Sequence, residues 1–163
     1  MRLAALSLLV LALAVPAGWA AAGPAGSLSI EDGRGTIVLK GKGIVIGRLE
    51  RGEVEIVDLS SLDQWSPRVN GVPRGRTVWT RGKSINFYVP GGRYLITARG
   101  EGVSVSARGQ GTATLTGRPD QTGATGTYAV GDDAPASLPA TPLRVDYGQS
   151  PAAGAAAGTK GAP

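Results

Sequence analysis

The chain is predicted to be all-β, with two pseudo-repeated four-stranded antiparallel units that pack as a sandwich or close as a barrel. Three observations predict this. Residues 36–52, TIVLKGKGIVIGRLERG, superpose without a gap on residues 95–111, LITARGEGVSVSARGQG; Gly33, Arg34, Ile37, Gly41, Gly43 and Gly52 recur as Gly92, Arg93, Ile96, Gly100, Gly102 and Gly111. Leu28, Ile30, Ile37, Leu39, Ile44, Ile46, Val54 and Ile56 align with Phe87, Val89, Ile96, Ala98, Val103, Val105, Ala113 and Leu115, apolar in both copies and spaced i, i+2. That spacing is the strand period and points to a duplicated β unit. Glycine-containing turn signals separate the apolar pairs at about eight to ten residues, as in sandwiches and barrels.

The first unit covers residues 27–58, with strands expected at 27–31, 35–40, 43–48 and 53–58. Alternation places Ile37 and Leu39 inward and Thr36, Val38 and Lys40 outward, the pattern of a half-buried antiparallel sheet. Asp32-Gly33, Gly41-Lys42-Gly43 and Arg51-Gly52 supply hairpin turn chemistry. The second unit, 85–117, repeats the scheme with less apolar bulk, alanine at 98 and 113. Its outward Ser104, Ser106, Thr112, Thr114 and Thr116 form a hydroxyl-rich exterior. Beyond it, 118–149 holds expected additional strands at 126–130 and 143–147, and 150–163 is an Ala/Gly/Pro tail expected to be disordered.

Residues 1–22 read as a secretory signal. Arg2 is a minimal positive region, Leu3 to Val15 is an unbroken apolar run, and small residues follow at Ala20, Ala21 and Ala22. An uncleaved membrane anchor is the minority alternative. The chain is therefore expected outside the cytoplasm, secreted or in the cell envelope. Its excess of alanine, glycine and arginine suggests a GC-rich bacterial source.

Composition removes much chemistry. There is no cysteine and no histidine, so disulfides, thiolate sites, the usual zinc ligand and histidine-dependent triads are all excluded. No cofactor or metal is expected. Phenylalanine occurs once and aromatics make up 5%, so the core is expected to be mainly aliphatic.

The formal net charge is +5. From Gln64 to Gly100 there are seven basic residues, Arg68, Arg74, Arg76, Arg81, Lys83, Arg93 and Arg99, and no acid. Five of them lie in the connector, 59–84, which has no counterpart in the repeat scheme and carries Trp65 and Trp79. Tryptophans flanked by guanidinium groups either cap an open end of the core or form a ligand platform. The expected ligand-binding set is Trp65, Trp79, Arg74, Arg76, Arg81 and Lys83.

Alternatives are weaker. Glu53 and Glu55 sit at i, i+2 on one outward strand face, the place of a solvated pair, so a carboxylate-based hydrolase ranks third. Asp58 and Asp63 are placed to pair with connector arginines. Lys83 and Ser84 are adjacent in a strand and point to opposite faces. Residues 41–47 depart from both phosphate-loop spacings. Leu138 to Pro142, LPATP, resembles the sortase signal LPxTG with proline in place of the final glycine. The Arg-Gly dipeptides fall at expected turns, so nucleic acid is not an expected partner. The Gly-x-Gly strand pattern resembles that of polymer-forming β-solenoid proteins such as bactofilins, over the repeat units alone, which makes a β-solenoid the alternative fold.

The expected function is thus a non-catalytic, exported cell-envelope domain that binds an anionic or carbohydrate envelope polymer. The second expectation is a structural module that meets protein partners or further copies of itself. The membrane is a partner only if the leader is retained.

Overall fold

A computed structural model of the chain describes residues 26–60 and 66–148. The leader, Trp65, Asp63 and the tail lie outside the described residues. The fold is all-β, one antiparallel sheet that is not closed, with no helix among the described residues. Its strands are β1 (Ser27–Asp58), β2 (Arg68–Val69), β3 (Thr77–Val89), β4 (Arg93–Gly117), β5 (Thr127–Val130), β6 (Ala136–Ser137) and β7 (Leu143–Tyr147). Pairing is antiparallel throughout. The β-solenoid alternative, whose coils would stack in parallel, is not the fold.

The expected hairpins inside each unit are also absent. Residues 27–58 form one strand, and 93–117 form another. The glycines read as turn formers lie within these strands, where they allow close backbone approach. The register resolves into two ladders. In one, residues 127–130, 27–33, 103–108, 44–49, 85–89 and 68–69 lie side by side in that order. In the other the order is 77–83, 51–58, 93–100, 35–43, 109–117 and 143–147. Each long strand passes from one ladder to the other at a glycine-bearing step.

One such step shows why glycine is needed. Gly52 lies opposite Gly100, with φ of +152° and +159°. A Cβ on Gly52 would fall on the Arg99 carbonyl oxygen, and one on Gly100 on that of Arg51. No side chain fits there.

The inward side chains of both ladders form a single core cluster. All the aligned apolar positions are buried except Ile44 and Ile46, which are 43% and 57% exposed. Antiparallel partners share a face. Val105 and Ala107 point inward, so their partners Gly47 and Val45 do too, and the isoleucines between them point out. The first copy changes phase near 50–52 and the second near 100–102. Phe87 explains Gly47, because a Cβ there would fall inside its ring.

The core also contains two tyrosines among its largest buried side chains. The hydroxyls of Tyr94 and Tyr147 lie 2.8 Å apart and satisfy each other. Burial pushes both above the usual phenol range, and in Tyr94 the hydrogen bond to Tyr147 adds to the effect. This contact ties β7 to the centre of the sheet. Leu138, the first residue of the LPATP segment, is 2% exposed, and its backbone N–H donates to the Gly126 carbonyl at 3.0 Å. The segment is part of the folded domain.

Candidate functional site

The sheet brings four of the six Arg-Gly dipeptides together, those at 34–35, 51–52, 81–82 and 99–100. Cross-strand pairing aligns Gly82, Gly52, Gly100, Gly35 and Gly117 in one row across five strand segments. On one side of that row Lys83 faces Arg51, which faces Glu101. On the other side Arg81 faces Glu53, which faces Arg99, followed by Thr36 and Thr116. The result is an open trough of about 820 Å³. Arg51, Arg81, Lys83, Arg99 and Arg118 line it, against only two carboxylates, Glu53 and Glu101. Gly35, Gly52 and Gly100 leave no room for a side chain between the backbones, so the residues flanking the glycine row supply the charges along its rims.

Ion pairing divides these cations into two groups. Arg99 donates from Nη1 to Glu53 Oε1 at 3.2 Å, and Arg118 from Nη2 to Glu101 Oε1 at 3.2 Å. Arg34 bridges Glu101 and Asp120, each at 3.7 Å. The Asp120 carboxylate is held below the usual range mainly by the Thr122 hydroxyl, with the Ala124 and Thr122 backbone N–H groups and Arg34 contributing. Arg51, Arg81 and Lys83 remain. Among the described residues, none of the three has a carboxylate within 4 Å. All three are exposed.

Of the expected ligand-binding residues, Arg81 and Lys83 therefore lie on the trough. Trp79 stands two residues from Arg81 on the same face of β3, opposite Glu55, and is 57% exposed. Arg74 and Arg76 lie on the exposed loop before β3 and do not line the trough; the Arg76 carbonyl accepts from the Asp58 backbone N–H at 2.7 Å. Trp65 lies outside the described residues. Asp58 does not pair with connector arginines among the described residues; its Oδ1 accepts from the Ser60 backbone N–H at 2.8 Å. Sequence reasoning missed Arg51, Arg99 and Arg118. For Arg51 and Arg99 the signal is the Arg-Gly dipeptide, a pattern that also marks turns; Arg118, in Gly117-Arg118-Pro119, is outside that set.

Chemically, the trough offers fixed positive charge, two-pronged guanidinium donors and a narrow, side-chain-free floor. Such a surface suits carboxylate, sulfate or phosphate groups. Both of its carboxylates are held in ion pairs, and no group of three or more potential metal ligands occurs among the described residues. Comparison with protein-family models, with characterised proteins and with solved structures finds no match to this chain.

Proposed function

We propose that this is an exported, non-catalytic cell-envelope domain that binds an anionic envelope polymer along the trough. The observation that carries the reading is the trio Arg51, Arg81 and Lys83, exposed and, among the described residues, without carboxylate partners on one strip. The apolar leader supports export. A strip several strands wide suits a repeating polyanion better than a single small ion, since successive groups engage successive cations. Co-sedimentation of the purified chain with isolated cell-envelope material, across a salt series, tests it. Binding that falls with salt and is lost in the combined Arg51, Arg81, Lys83→Ala variant is expected. Equal sedimentation of both proteins overturns it.

A second reading, an assembly module, has its own support. Residues 77–83 pair with β1 on one side, while β2 reaches only residues 87 and 88. Among the described residues, that leaves an open sheet edge beside exposed Trp79, a place where another chain could add a strand. Concentration-dependent size in light scattering would favour it.

The finer architecture belongs to the same proposal. The sheet is a duplicated unit folded into a sandwich, and register symmetry supports this. Moving each residue by the repeat offset carries the pair Gly52–Gly100 onto Gly111–Gly41, and Val54–Ala98 onto Ala113–Leu39; both images are observed pairs. The edges follow the same rule: β5 flanks the first strand segment of one copy and β2 that of the other. On this reading the connector has a counterpart after all, in 118–147.

A further inference from the structure

A second concave surface lies away from the trough, on the ladder that contains the two exposed isoleucines. It has a volume of about 730 Å³, within the range of small-ligand sites, and takes three consecutive residues from each of five strand segments. Its long axis runs across the strands. One wall is the register row Ser29, Ser106, Ile46, Tyr88 and Arg68. At about 4.8 Å per strand spacing, that row is about 19 Å long. The parallel wall contains Ser104, Arg48 and Asn86 in register, continued by Asn70, with Glu31 at the far end.

The two walls differ in chemistry. Ile46 and Tyr88 give the first an apolar centre, while the second is hydrogen-bonding along its whole length. Asn70 is pinned in place: its Oδ1 accepts from the Asn86 backbone N–H at 2.8 Å and its Nδ2 donates to the Ser84 carbonyl at 3.2 Å. Arg48, Arg68 and Glu31 form no ion pair among the described residues. Nothing in the fold uses these groups.

We propose that this groove binds a linear polysaccharide segment lying across the strands. Pyranose rings present apolar C–H faces and hydroxyl-bearing edges, which matches Ile46 and Tyr88 on one wall and Arg48, Asn86 and Asn70 on the other. An extended peptide fits less well, because it adds along a strand edge through its backbone, and the backbone groups under this groove are already paired. An acyl chain leaves the polar wall without partners. The site is independent of the trough, since none of its lining residues is shared.

The test is an amide-shift titration of the purified full chain with cellohexaose, chitohexaose and hexagalacturonate, each to millimolar concentration. Shifts at Gly47, Ser104 and Ser106 from at least one glycan are expected. Tyr88→Ala should weaken that glycan roughly tenfold. Ser106→Trp, at an exposed position outside the core, should block it while leaving the thermal melt unchanged. The Arg51, Arg81, Lys83→Ala variant should keep the groove shifts of wild type, any trough shifts from hexagalacturonate alone being lost. No groove shifts with any of the three probes, shifts confined to the trough, or indifference to Ser106→Trp would overturn the proposal. So would concentration-dependent broadening of groove signals without glycan, which would make this face a contact between copies.

Discussion

The trough and the groove are made from the same sheet by opposite means. At the trough, glycines from five strand segments meet in one row, with backbones too close for a side chain at Gly35, Gly52 and Gly100, and the surface takes its character from the charges beside the glycines. At the groove, the strands run side by side within one ladder. There the surface takes its character from outward side chains, and one strand is out of phase with its repeat partner. Glycine placement thus builds one surface, and strand phase the other. Each half of this comparison can be broken separately.

The largest effect is expected at the crossing. Gly100→Val places a side chain on the Arg51 carbonyl oxygen in a backbone conformation that valine resists. It should cost more than about 4 kcal/mol, enough to abolish cooperative unfolding in calorimetry. Retention of a normal melt would show that the ladders do not meet as described.

Strand phase is next. Val45 is fully buried, and its neighbour Ile46 is 57% exposed. Val45→Ala should cost about 1 to 3 kcal/mol in urea unfolding, and Ile46→Ala less than about 0.5 kcal/mol. The reverse order would restore Ile46 to the core and remove the groove.

A pH effect of similar size follows from the tyrosine pair. The folded protein holds both hydroxyls neutral beyond the pH at which unfolded tyrosines ionise, near 10. The unfolded chain then carries fewer protons than the native one, so stability falls as pH rises above about 10. The slope approaches about 1.4 kcal/mol per pH unit for Tyr94, and Tyr147 adds to it in the same direction. Urea unfolding between pH 9 and 11 should show this decline, and the Tyr94, Tyr147→Phe double variant should flatten it.

The smallest stability effect belongs to the trough itself. Removing Arg51, Arg81 and Lys83 together should change stability by less than about 0.5 kcal/mol, because all three are exposed and, among the described residues, without carboxylate partners. A large loss would mean that they hold the fold together instead of awaiting a ligand.

Much of the all-β character was legible, because the i, i+2 alternation at Ile37, Leu39, Val54, Ile56, Ile96 and Ala98 survives in the structure as buried side chains. Strand continuity was not. A glycine that turns a hairpin and a glycine that lets one strand cross another leave the same local signal, so Gly41, Gly43 and Gly52 were read as turns. The phase of Ile44 and Ile46 was hidden for a related reason: only pairing with Val105 and Ala107 decides which face is inward. Tyr94 and Tyr147 carried no pattern that announced a buried pair, since their contact joins positions 53 residues apart. The trough was legible only in pieces. Arg81, Lys83 and Arg99 belong to one acid-free run, whereas Arg51 and Arg118 reach it from two other stretches of chain and meet it only through register.

The central claim is that Arg51, Arg81 and Lys83, which have no carboxylate partner among the described residues, bind a polyanion on the trough, and a salt titration tests it most directly. Affinity of the full chain for polygalacturonate would be measured from low to high salt, for wild type and for the Arg51, Arg81, Lys83→Ala variant. The account predicts affinity that falls steeply with salt in wild type. In the variant it should be roughly ten- to a hundredfold weaker at low salt, as expected for three screened surface contacts, and nearly flat with salt. Equal affinity and equal salt dependence in the two proteins would contradict it.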